Sequence, residues 1–374
     1  MSVGVIFGGK NCEHDISIIT GVGTLNALSG AGYDTVPVYI NGEGIWYSGG
    51  SMRDIAVFGD GGAKARKKWK RVRIEPACDG LLDVKGKRLA TLDAAVLCTH
   101  GVGGEDGCLQ GLLQLAGIPY TGSGVFASSA GMDKAVMKRL FEAAGLPVGP
   151  YRTVAAKNID KSSLAEIVKE LGYPLIVKPA NLGSSIGIGI AKDDGELLRA
   201  AQTAAEYDNN LIVEKAFVDF TELNCAVLGR GKDNIASGIE QPVGWTEFLS
   251  FDDKYTDIGA KRGKGQRSAS RMQAKISDEI KSRVKSLAKQ AFECIGASGV
   301  ARVDFLLDGD SLYVNEINTI PGSLSYYLFE FEGLGFAELL EKLIRLAKDE
   351  DEGRKRLTYV YKSNVLKSAG GVKK

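Results

Sequence analysis

The sequence predicts a mixed α/β and α+β fold in several domains, with a doubly wound parallel sheet in the N-terminal domain. In the first third of the chain, apolar stretches at residues 3–7, 35–40 and 93–98 alternate with helix-like segments such as 110–115. This alternation is typical of parallel strands joined by helices. After about residue 130 the pattern changes to antiparallel strand pairs and amphipathic helices. The 374 residues are enough for two or three domains.

The composition is that of an ordinary globular protein. Hydrophobic residues make up 44% of the chain, charged residues 25%, and the formal net charge is +1, so no overall field attracts nucleic acid or a membrane surface. No run approaches 18 consecutive apolar residues, which argues against a membrane-spanning helix. The first seven residues lack the features of a signal peptide and are predicted to form a strand. We therefore expect a cytoplasmic protein without nucleic-acid or membrane partners.

Two local features each have an ordinary and a functional interpretation. The basic run at residues 64–71 is short and stands in a neutral chain, which favours a solvated loop over a nucleic-acid site. The six cysteines show no C-x-x-C spacing, which favours free thiols in a reducing compartment over a zinc site. They are Cys12, Cys78, Cys98, Cys108, Cys225 and Cys294.

The elements up to residue 241 can be placed in order. Residues 43–90 are rich in glycine and charge and are expected to form insertions or edge structure. A helix at about 133–144 carries Lys138 on its polar side and ends at a Gly-Leu-Pro sequence. The later predicted elements are a helix at 195–206 and strands at 174–178, 187–190, 211–214, 223–228 and 235–241.

The last third contains a lid-like segment, a strong helix and a hairpin. Residues 256–275 have no apolar period, which predicts a lid or a loop without regular structure. Ser277 is a candidate N-cap for a helix with an apolar stripe from Ile280 to Ile295. Strands at 300–307 and 311–316 flank an Asp-Gly-Asp turn. A helix is predicted at 336–347, followed by a charged tail in which 357–366 could add a strand.

The hairpin carries the most specific chemical signal. Alternate residues of a strand share a face, so Arg302 and Asp304 point one way while Val303 and Phe305 point into the core. Glu316 and Asn318 also share a face, and with the turn centred on Gly309, residue 302 lies roughly opposite 316. Two carboxylates and an amide oxygen form a cluster suited to Mg²⁺ that is also held by phosphates, with Arg302 beside it to stabilise negative charge. The alternative, a solvated hairpin face, is disfavoured because the residues on the opposite face of the strands are uniformly apolar.

A lysine followed by a Gly/Ser loop, at residues 178–187, gives a second signal. A cation and several backbone N–H groups at the end of a buried strand suit a polyphosphate. The segment is not a Walker A motif, and the strand after it predicts a flap between antiparallel strands. A plain β-turn remains an alternative, and Lys138 is either a second phosphate cation or a solvated residue.

Weaker signals lie at residues 214–222 and in the first domain. Glu214 to Phe217, with Glu222, offer acceptors and amides for adenine and ribose, although alone they fit a plain strand end better. Loops at 7–17 and 99–107 follow strands of the predicted parallel sheet, where ligands bind in such folds. They contain both histidines of the chain, His14 and His100, which favours substrate binding modestly. Neither loop is a dinucleotide-binding G-x-G-x-x-G fingerprint.

Together these residues resemble the D-alanine–D-alanine ligases of the ATP-grasp superfamily, over about residues 2–348. The resemblance implies three ATP-grasp domains with the active site where they meet. They are an N-terminal α/β domain with the first D-alanine site (1–131), a central subdomain with the phosphate flap (132–213) and a C-terminal subdomain with a lid at 249–275 and the metal site (214–350), followed by a charged tail (351–374). The strings that carry the resemblance are residues 100–111, 119–124, 132–134, 178–187 and 315–322.

The resemblance implies an ATP-dependent carboxylate–amine ligase of peptidoglycan precursor synthesis. ATP would phosphorylate the carboxylate of D-alanine, and the amine of a second D-amino acid would attack the acyl phosphate. The metal ligands would be Asp304, Glu316 and Asn318, holding two Mg²⁺ ions, or Mn²⁺. The residues implied for ATP are Lys138, Lys178, Gly183 and Ser185 at the phosphates, and Glu214, Lys215, Phe217, Glu222 and Phe248 at the adenosine.

The resemblance also implies residues around the amino acids. Arg302 and the Gly322 N–H would stabilise the oxyanion. Glu13, Ser184 and Tyr255 would form a hydrogen-bonded chain that ties the lid over the site and excludes water. Glu13 would also anchor the first ammonium group. The further substrate contacts would be His100 beside the first carboxylate, Lys254 in the lid, and Tyr327 and Leu328 at the acceptor.

The chain departs from the family pattern at the acceptor. Tyr327 stands where a serine usually binds the acceptor carboxylate, and the lid reads Met-Gln-Ala at 272–274 instead of Met-Pro-Ala. Tyr255 favours an amine acceptor over a hydroxy acid. The alternatives are a ligase with another acceptor, such as D-serine, and an ATP-binding regulatory protein that no longer ligates. We expect a homodimer that uses D-alanine and ATP.

Overall fold

The computed structural model describes residues 1–242, 272–363 and residue 365. The first sheet has the strand order β6-β5-β4-β3-β2-β1-β7, with β1 parallel to both β2 and β7. Its elements are β1 (Ser2–Gly8), α1 (His14–Gly30), β2 (Asp34–Ile40), β3 (Trp46–Ser48), β4 (Lys70–Arg73), β5 (Gly80–Asp83), β6 (Arg88–Thr91), β7 (Ala94–Leu97), α2 (Cys108–Ala116) and α3 (Val125–Met132), with short 3₁₀ turns at Gly50–Arg53, Ile55–Phe58 and Ala65–Lys68.

The parallel part of this sheet confirms the predicted strands, and the rest is the predicted edge structure. Val3, Val5 and Phe7 of β1 are fully buried, because a central parallel strand is covered on both faces. β3 to β6 pair antiparallel and extend the β2 side, so the whole sheet is mixed. Gly8 ends β1 at a φ of +87°, where a Cβ atom would lie 2.1 Å from Ile40 O. The chain can turn there only because the residue is glycine.

The second sheet is antiparallel, in the order β10-β9-β11-β8. The preceding helix, α4, begins after Asp133, whose carboxylate accepts from the Ala135 and Val136 N–H groups in the usual N-cap manner. The elements are α4 (Lys134–Ala143), β8 (Tyr151–Ala155), a 3₁₀ turn (Ala156–Asn158), α5 (Lys161–Leu171), β9 (Leu175–Pro179), β10 (Gly189–Ala191), α6 (Asp194–Ala205) and β11 (Asn210–Lys215).

The third sheet is also antiparallel, in the order β14-β13-β12-β15-β16. Ser277 caps its main helix, α7, by accepting from the Ile280 N–H, as predicted. The elements are β12 (Thr221–Arg230), β13 (Asp233–Gln241), β14 (Met272–Gln273), α7 (Asp278–Cys294), β15 (Ser298–Asp308), β16 (Ser311–Asn318), a 3₁₀ turn (Gly322–Ser325), α8 (Tyr326–Glu330) and α9 (Phe336–Lys355).

Each sheet has its own hydrophobic core. Two helices, α4 and α9, contribute to the core of a sheet that is not next to them in the chain. Leu339 and Leu343 of α9 belong to the core of the first sheet, so the last helix packs against the start of the chain. Met137 and Phe141 of α4 belong to the core under the third sheet. These contacts hold the three sheets around a common region. No helix of the described residues is both long and apolar enough to cross a membrane.

The end of the chain differs from the prediction. Helix α9 continues to Lys355 rather than ending near residue 347, because ion pairs one turn apart support its last turns. Arg354 lies 3.3 Å from Glu350, and Lys355 lies 2.6 Å from Asp351. Residues 357–363 form no strand.

Candidate functional site

The hairpin of β15 and β16 places four polar side chains on one face. Arg302 lies opposite Asn318 and Asp304 lies opposite Glu316, while Val303 on the other face is fully buried. The predicted pairing of residue 302 with 316 was wrong. The pairing shifts by one residue between Asp304 and the next position, where β16 carries an extra residue, a β-bulge. The bulge brings Glu316, rather than its neighbour, opposite Asp304.

The two carboxylates of this face have different surroundings. The Arg302 guanidinium donates to both oxygens of the buried Asp304, at 2.6 Å and 2.7 Å, a bidentate pair. The Asn318 amide donates to the same carboxylate at 3.1 Å. Glu316 is about 30% exposed, and its Oε2 lies 3.8 Å from the Lys134 Nζ. One carboxylate is therefore held rigidly, while the other faces the open region.

The donor set fits a magnesium ion that is shared with phosphates. Carboxylate oxygens have about four lone-pair sites between them, and those of Asp304 accept from Arg302 and Asn318. Asp304, Glu316 and the Asn318 side-chain oxygen are hard oxygen donors, which Mg²⁺ prefers. Among the residues that the structure describes, no three His, Cys, Asp or Glu side chains gather as a metal group. A cation here would thus rely on the amide, water and substrate oxygens.

Two buried lysines converge on one carboxylate beside the hairpin. Lys138 Nζ lies 2.8 Å from Glu214 Oε1, and Lys178 Nζ pairs with Glu214 Oε2. Of the two alternatives for Lys138, the solvated residue is excluded, because its side chain is only 4% exposed where α4 packs on the sheets. The group carries an excess positive charge, which suits a polyphosphate.

The charges of this lysine pair explain the pKa values. Burial raises the pKa of Glu214, but Lys138 and then Lys178 outweigh it and lower the pKa to about 2. Burial lowers the pKa of Lys178, and the Glu214 carboxylate reverses this, so that the net pKa is raised. Glu222 and Glu316 act on Lys178 in the same direction, which places both near the phosphate region. Glu214 and Lys178 are therefore both ionised at neutral pH.

The predicted flap lies between antiparallel strands β9 and β10, as expected from the sequence. Ser184 and Ser185 adopt φ values of +54° and +59°, a conformation that non-glycine residues seldom adopt. Lys134, which the sequence interpretation missed, fixes the start of this loop. Its Nζ donates to Leu182 O at 2.8 Å, and its charge also lies near Glu316. The sequence signals for this position were the N-cap Asp133 just before it and the string at residues 132–134 that carries the family resemblance.

Glu13 connects the first domain to the flap. Ser184 Oγ donates to Glu13 Oε1 at 2.5 Å. A Cβ atom on Gly101 would lie 2.5 Å from Glu13 Oε2, and one on Gly183 would lie 3.1 Å from the same carboxylate. Asn11 supports the arrangement by donating to His100 O at 2.8 Å. The structure therefore brings Glu13 and Ser184 together, and Gly183 lies against the same carboxylate.

Both histidines form hydrogen bonds with other groups of the protein through both ring nitrogens. His100 is 3% exposed, with Nδ1 2.8 Å from Ile320 O and Nε2 3.1 Å from Thr20 Oγ1. Burial is the main reason that the pKa of His100 is lowered, so the ring is neutral and Nδ1 carries the proton. His14 opens α1 instead of lying in a loop, with Nδ1 2.6 Å from Gly9 O and Nε2 3.0 Å from Tyr39 Oη. Its role is structural.

Glu105 is a second residue that the sequence interpretation missed. Its Oε1 accepts from the Ile320 N–H at 2.9 Å, and its Oε2 lies 3.4 Å from the Gly101 N–H. Burial, and then the Glu13 carboxylate, raise the pKa of Glu105 to about 7, while Arg302 lowers it. The loop at 99–107 therefore faces both Glu13 and the hairpin. Its position in a glycine-rich string was the only sequence signal.

The residues predicted for adenosine lie at the end of β11. The Lys215 ammonium donates to Gly172 O at 3.2 Å and Tyr173 O at 2.6 Å, so this side chain holds neighbouring backbone. The Phe217 ring lies 5.0 Å from the Tyr313 ring. Glu222 stands on β12, one strand away from the hairpin face. Of these residues, Glu222 acts on the charge of Lys178.

The segment after the hairpin has an unusual backbone. Ser323, Leu324 and Ser325 adopt φ values of +52°, +51° and +49°, a left-handed turn without glycine. Gly322 immediately precedes it. The Leu328 side chain is fully buried in the core, so only its backbone could contact a substrate. Tyr327 is partly exposed, and its ring lies 6.2 Å from that of Tyr326.

Three predicted site residues lie outside the described part of the chain. They are Phe248, Lys254 and Tyr255, which fall in the predicted lid. The end of that segment is described, and there Met272 and Gln273 pair with Gln241 and Glu240 as strand β14.

Comparisons with known proteins agree with this geometry. Two family models match the chain, the D-ala D-ala ligase N-terminus over residues 2–123 and the D-ala D-ala ligase C-terminus over residues 140–345. The D-alanine–D-alanine ligase of Thermosipho africanus is 36% identical over 368 residues, which covers 98% of each chain.

Two solved structures extend the comparison. The D-alanine–D-alanine ligase of Coxiella burnetii superposes with a TM-score of 0.81 at 28% identity, covering 95% of this chain and 97% of that one. The VanG D-Ala:D-Ser ligase of Enterococcus faecalis superposes with a TM-score of 0.79 at 29% identity, covering 92% and 99%. The chain belongs to the D-alanine–D-alanine ligase family.

Proposed function

We propose that this protein is an ATP-dependent ligase that joins two D-alanine molecules for peptidoglycan precursor synthesis, through an acyl phosphate. The observation that carries the proposal is the hairpin face of Arg302, Asp304, Glu316 and Asn318 beside the buried lysine pair. A polyphosphate between these two groups would meet lysines on one side and metal ligands on the other. Family membership supports the same reaction.

The two lysines and the flap would bind the nucleotide phosphates. Lys138 and Lys178 supply the cations, and the backbone at Gly183 and Ser185 supplies N–H donors. Glu214, Glu222 and the residues near Phe217 and Phe248 would hold the adenosine. Asp304, Glu316 and Asn318 would hold two Mg²⁺ ions, or Mn²⁺, which neutralise charge on the phosphates when bound.

The reaction would proceed in two displacements. A carboxylate oxygen of the first D-alanine attacks the γ-phosphorus, and ADP leaves. The amine of the second substrate then attacks the acyl carbon, and phosphate leaves from a tetrahedral intermediate. Arg302 and the Gly322 N–H would stabilise the oxyanion of that intermediate, since donors aimed at developing charge supply much of the catalysis. The Asp304 carboxylate fixes the direction of Arg302.

Exclusion of water would be the task of the groups around Glu13. An acyl phosphate hydrolyses unless the site closes. The contact of Glu13 with Ser184 supports a closed arrangement in which Tyr255 and Lys254 of the lid complete the cover. The three-domain division, with boundaries near residues 131, 213 and 350, places this contact between the first two domains.

D-Serine is the second candidate acceptor. Tyr327 stands where the family usually has a serine, and the chain is also similar to a D-Ala:D-Ser ligase. A phenol still donates a hydrogen bond to a carboxylate, so D-alanine and D-serine both fit the chemistry. A regulatory protein that only binds ATP would not require the pairing of Arg302 with Asp304.

Phosphate release with ATP, Mg²⁺ and single amino acids tests the proposal. The protein should release phosphate only when D-alanine is present, and the product mass should be that of D-alanyl-D-alanine. Acceptors compared in parallel should be D-alanine, D-serine, D-lactate and glycine. Phosphate release at background would contradict a ligase and support the regulatory alternative, whereas a mixed dipeptide would reassign the acceptor.

The proposal includes the assembly and the compartment. We propose a homodimer in the cytoplasm, with ATP and D-alanine as small-molecule substrates. Sedimentation velocity of the full chain tests the assembly, because a single species at the monomer mass of 39.8 kDa would contradict it.

A further inference from the structure

The left-handed turn at Ser323, Leu324 and Ser325 is costly and must be held by its surroundings. Non-glycine residues in this conformation are strained, and such strain persists only where neighbouring structure over-determines it. The turn follows Gly322 directly, so the direction of the Gly322 N–H depends on how the turn is held. Local bonds of the turn run from the Leu324 N–H to Pro321 O at 2.8 Å and from the Tyr326 N–H to Ser323 O.

The remaining anchors come from the first domain. The Ser323 N–H donates to Thr20 Oγ1 at 3.2 Å, across 303 positions of the chain. Thr20 is 3% exposed and lies on α1. Its hydroxyl also meets His100 Nε2 at 3.1 Å. Because that nitrogen is the unprotonated one, Thr20 donates to His100 and accepts from Ser323, which uses its single O–H donor and one of its two acceptor lone pairs.

The backbone N–H and the carbonyl oxygen of Ile320 are both hydrogen-bonded to side chains. Its N–H donates to Glu105 Oε1 at 2.9 Å, and its carbonyl accepts from His100 Nδ1 at 2.8 Å. Ile320 is two residues before Gly322, and its side chain is 3% exposed. Glu105, His100 and Thr20 thus fix positions 320 and 323, on either side of Gly322.

We propose that Glu105, with His100 and Thr20, positions the oxyanion-binding turn of this ligase rather than contacting a substrate. The inference rests on the proposed function, because the Gly322 N–H matters only where an oxyanion forms. It gives Glu105 and Thr20 a role and moves His100 from substrate contact to positioning, since both of its ring nitrogens are already bonded. The first domain would therefore contribute to catalysis through backbone geometry.

Two matched pairs of variants test the proposal. Glu105→Ala removes the acceptor of the Ile320 N–H, while Glu105→Gln keeps one oxygen there. Thr20→Val removes the hydroxyl between His100 and Ser323, while Thr20→Ser keeps it. Asp106→Ala is the control in the same loop, because Asp106 accepts from Gly103 and Cys108 and not from the turn.

Hydrogen exchange provides a readout that does not depend on activity. In peptides covering residues 318–324, Glu105→Ala and Thr20→Val should speed exchange at least tenfold. Glu105→Gln, Thr20→Ser and Asp106→Ala should exchange like the wild type. Equal exchange in all variants would show that Glu105 and Thr20 do not hold the turn, whether or not the protein is a ligase. If the wild type releases no phosphate, the proposed function fails, and exchange alone then decides whether these residues position the turn.

Steady-state kinetics distinguishes positioning from substrate contact. Glu105→Ala and Thr20→Val should lower kcat by about 10- to 100-fold, since small misplacements of a catalytic group have effects of this size. KM for ATP and for D-alanine should stay within about threefold. Glu105→Gln and Thr20→Ser should recover most of kcat. A raised KM for D-alanine with unchanged kcat would overturn the proposal in favour of substrate contact.

Discussion

Ser184 donates a 2.5 Å hydrogen bond to Glu13, which joins the loop after β1 to the phosphate flap of the second sheet. The two residues are far apart in the chain, and the bond crosses between two of the three hydrophobic cores. The position of the flap and the proposed site of the first D-alanine are therefore physically coupled.

Ser184→Ala should weaken use of D-alanine without unfolding the protein. A hydrogen bond to a charged group is worth about 1.5–3 kcal/mol, so kcat/KM for D-alanine should fall roughly 10- to 100-fold. Ser282→Ala is the control, since that hydroxyl bonds only nearby helix backbone at Asp278 and should leave kinetics unchanged. Equal kcat/KM in both variants would show that the hydrogen bond between Ser184 and Glu13 is not needed for catalysis.

Glu214→Gln should show how the lysine pair depends on its carboxylate. Breaking a buried ion pair by removing one partner costs about 3–5 kcal/mol, so the variant should unfold at lower denaturant at pH 7. The folded pKa of Glu214, about 2, lies below the usual 4.5, so its stabilisation is present above pH 4.5 and is lost as pH falls towards 2. The difference between variant and wild type should shrink over that window. A constant difference from pH 7 to 2 would contradict the ion-pair assignment.

Asp304→Asn and Glu316→Gln should separate stability from metal binding. Both changes remove a proposed metal ligand, and both should reduce phosphate release to background. Asp304 is the bidentate partner of Arg302, so Asp304→Asn should also lower the free energy of unfolding by about 1–3 kcal/mol. Glu316 is partly exposed, and its variant should stay within about 0.5 kcal/mol of the wild type. Near-normal turnover in Glu316→Gln would contradict the assignment of Glu316 as a metal ligand.

Tyr327→Phe tests the acceptor pocket with minimal change in shape. If the phenol hydroxyl binds the acceptor carboxylate, its loss should raise KM for the second amino acid about tenfold or more. The KM for ATP, measured by phosphate release in the presence of D-alanine, should be unchanged. Product masses from D-alanine and D-serine, measured together, show whether selectivity changes. Identical acceptor kinetics in the variant would exclude Tyr327 from the pocket.

The hairpin shows what strand alternation can and cannot predict. The alternation was sufficient to place Arg302 and Asp304 on one face and the apolar residues on the other. The register depended on an extra residue near position 315 in β16, which no sequence feature marks. The shared face of the four polar side chains was predicted even so, because the turn and the bulge together shift the pairing by two residues, which keeps Glu316 and Asn318 on the same side.

Long-range contacts account for the site features that the sequence did not predict. Lys138 looks like a surface residue of an amphipathic helix, and only its distant partner Glu214 explains its burial. The left-handed turn after Gly322 contains no glycine that would mark it in the sequence, and the backbone at Ser323 and Ile320 bonds to Thr20 and Glu105, which lie far earlier in the chain. Local sequence does not encode such contacts.

Oxygen-18 transfer from D-alanine to phosphate tests the central claim most directly. D-Alanine labelled in its carboxylate is incubated with ATP, Mg²⁺ and the protein, and phosphate and dipeptide are analysed by mass. The account predicts one labelled oxygen in each phosphate released with D-alanyl-D-alanine, because the attacking carboxylate oxygen leaves with the phosphate. Unlabelled phosphate, or phosphate released without dipeptide, would contradict an acyl-phosphate ligase.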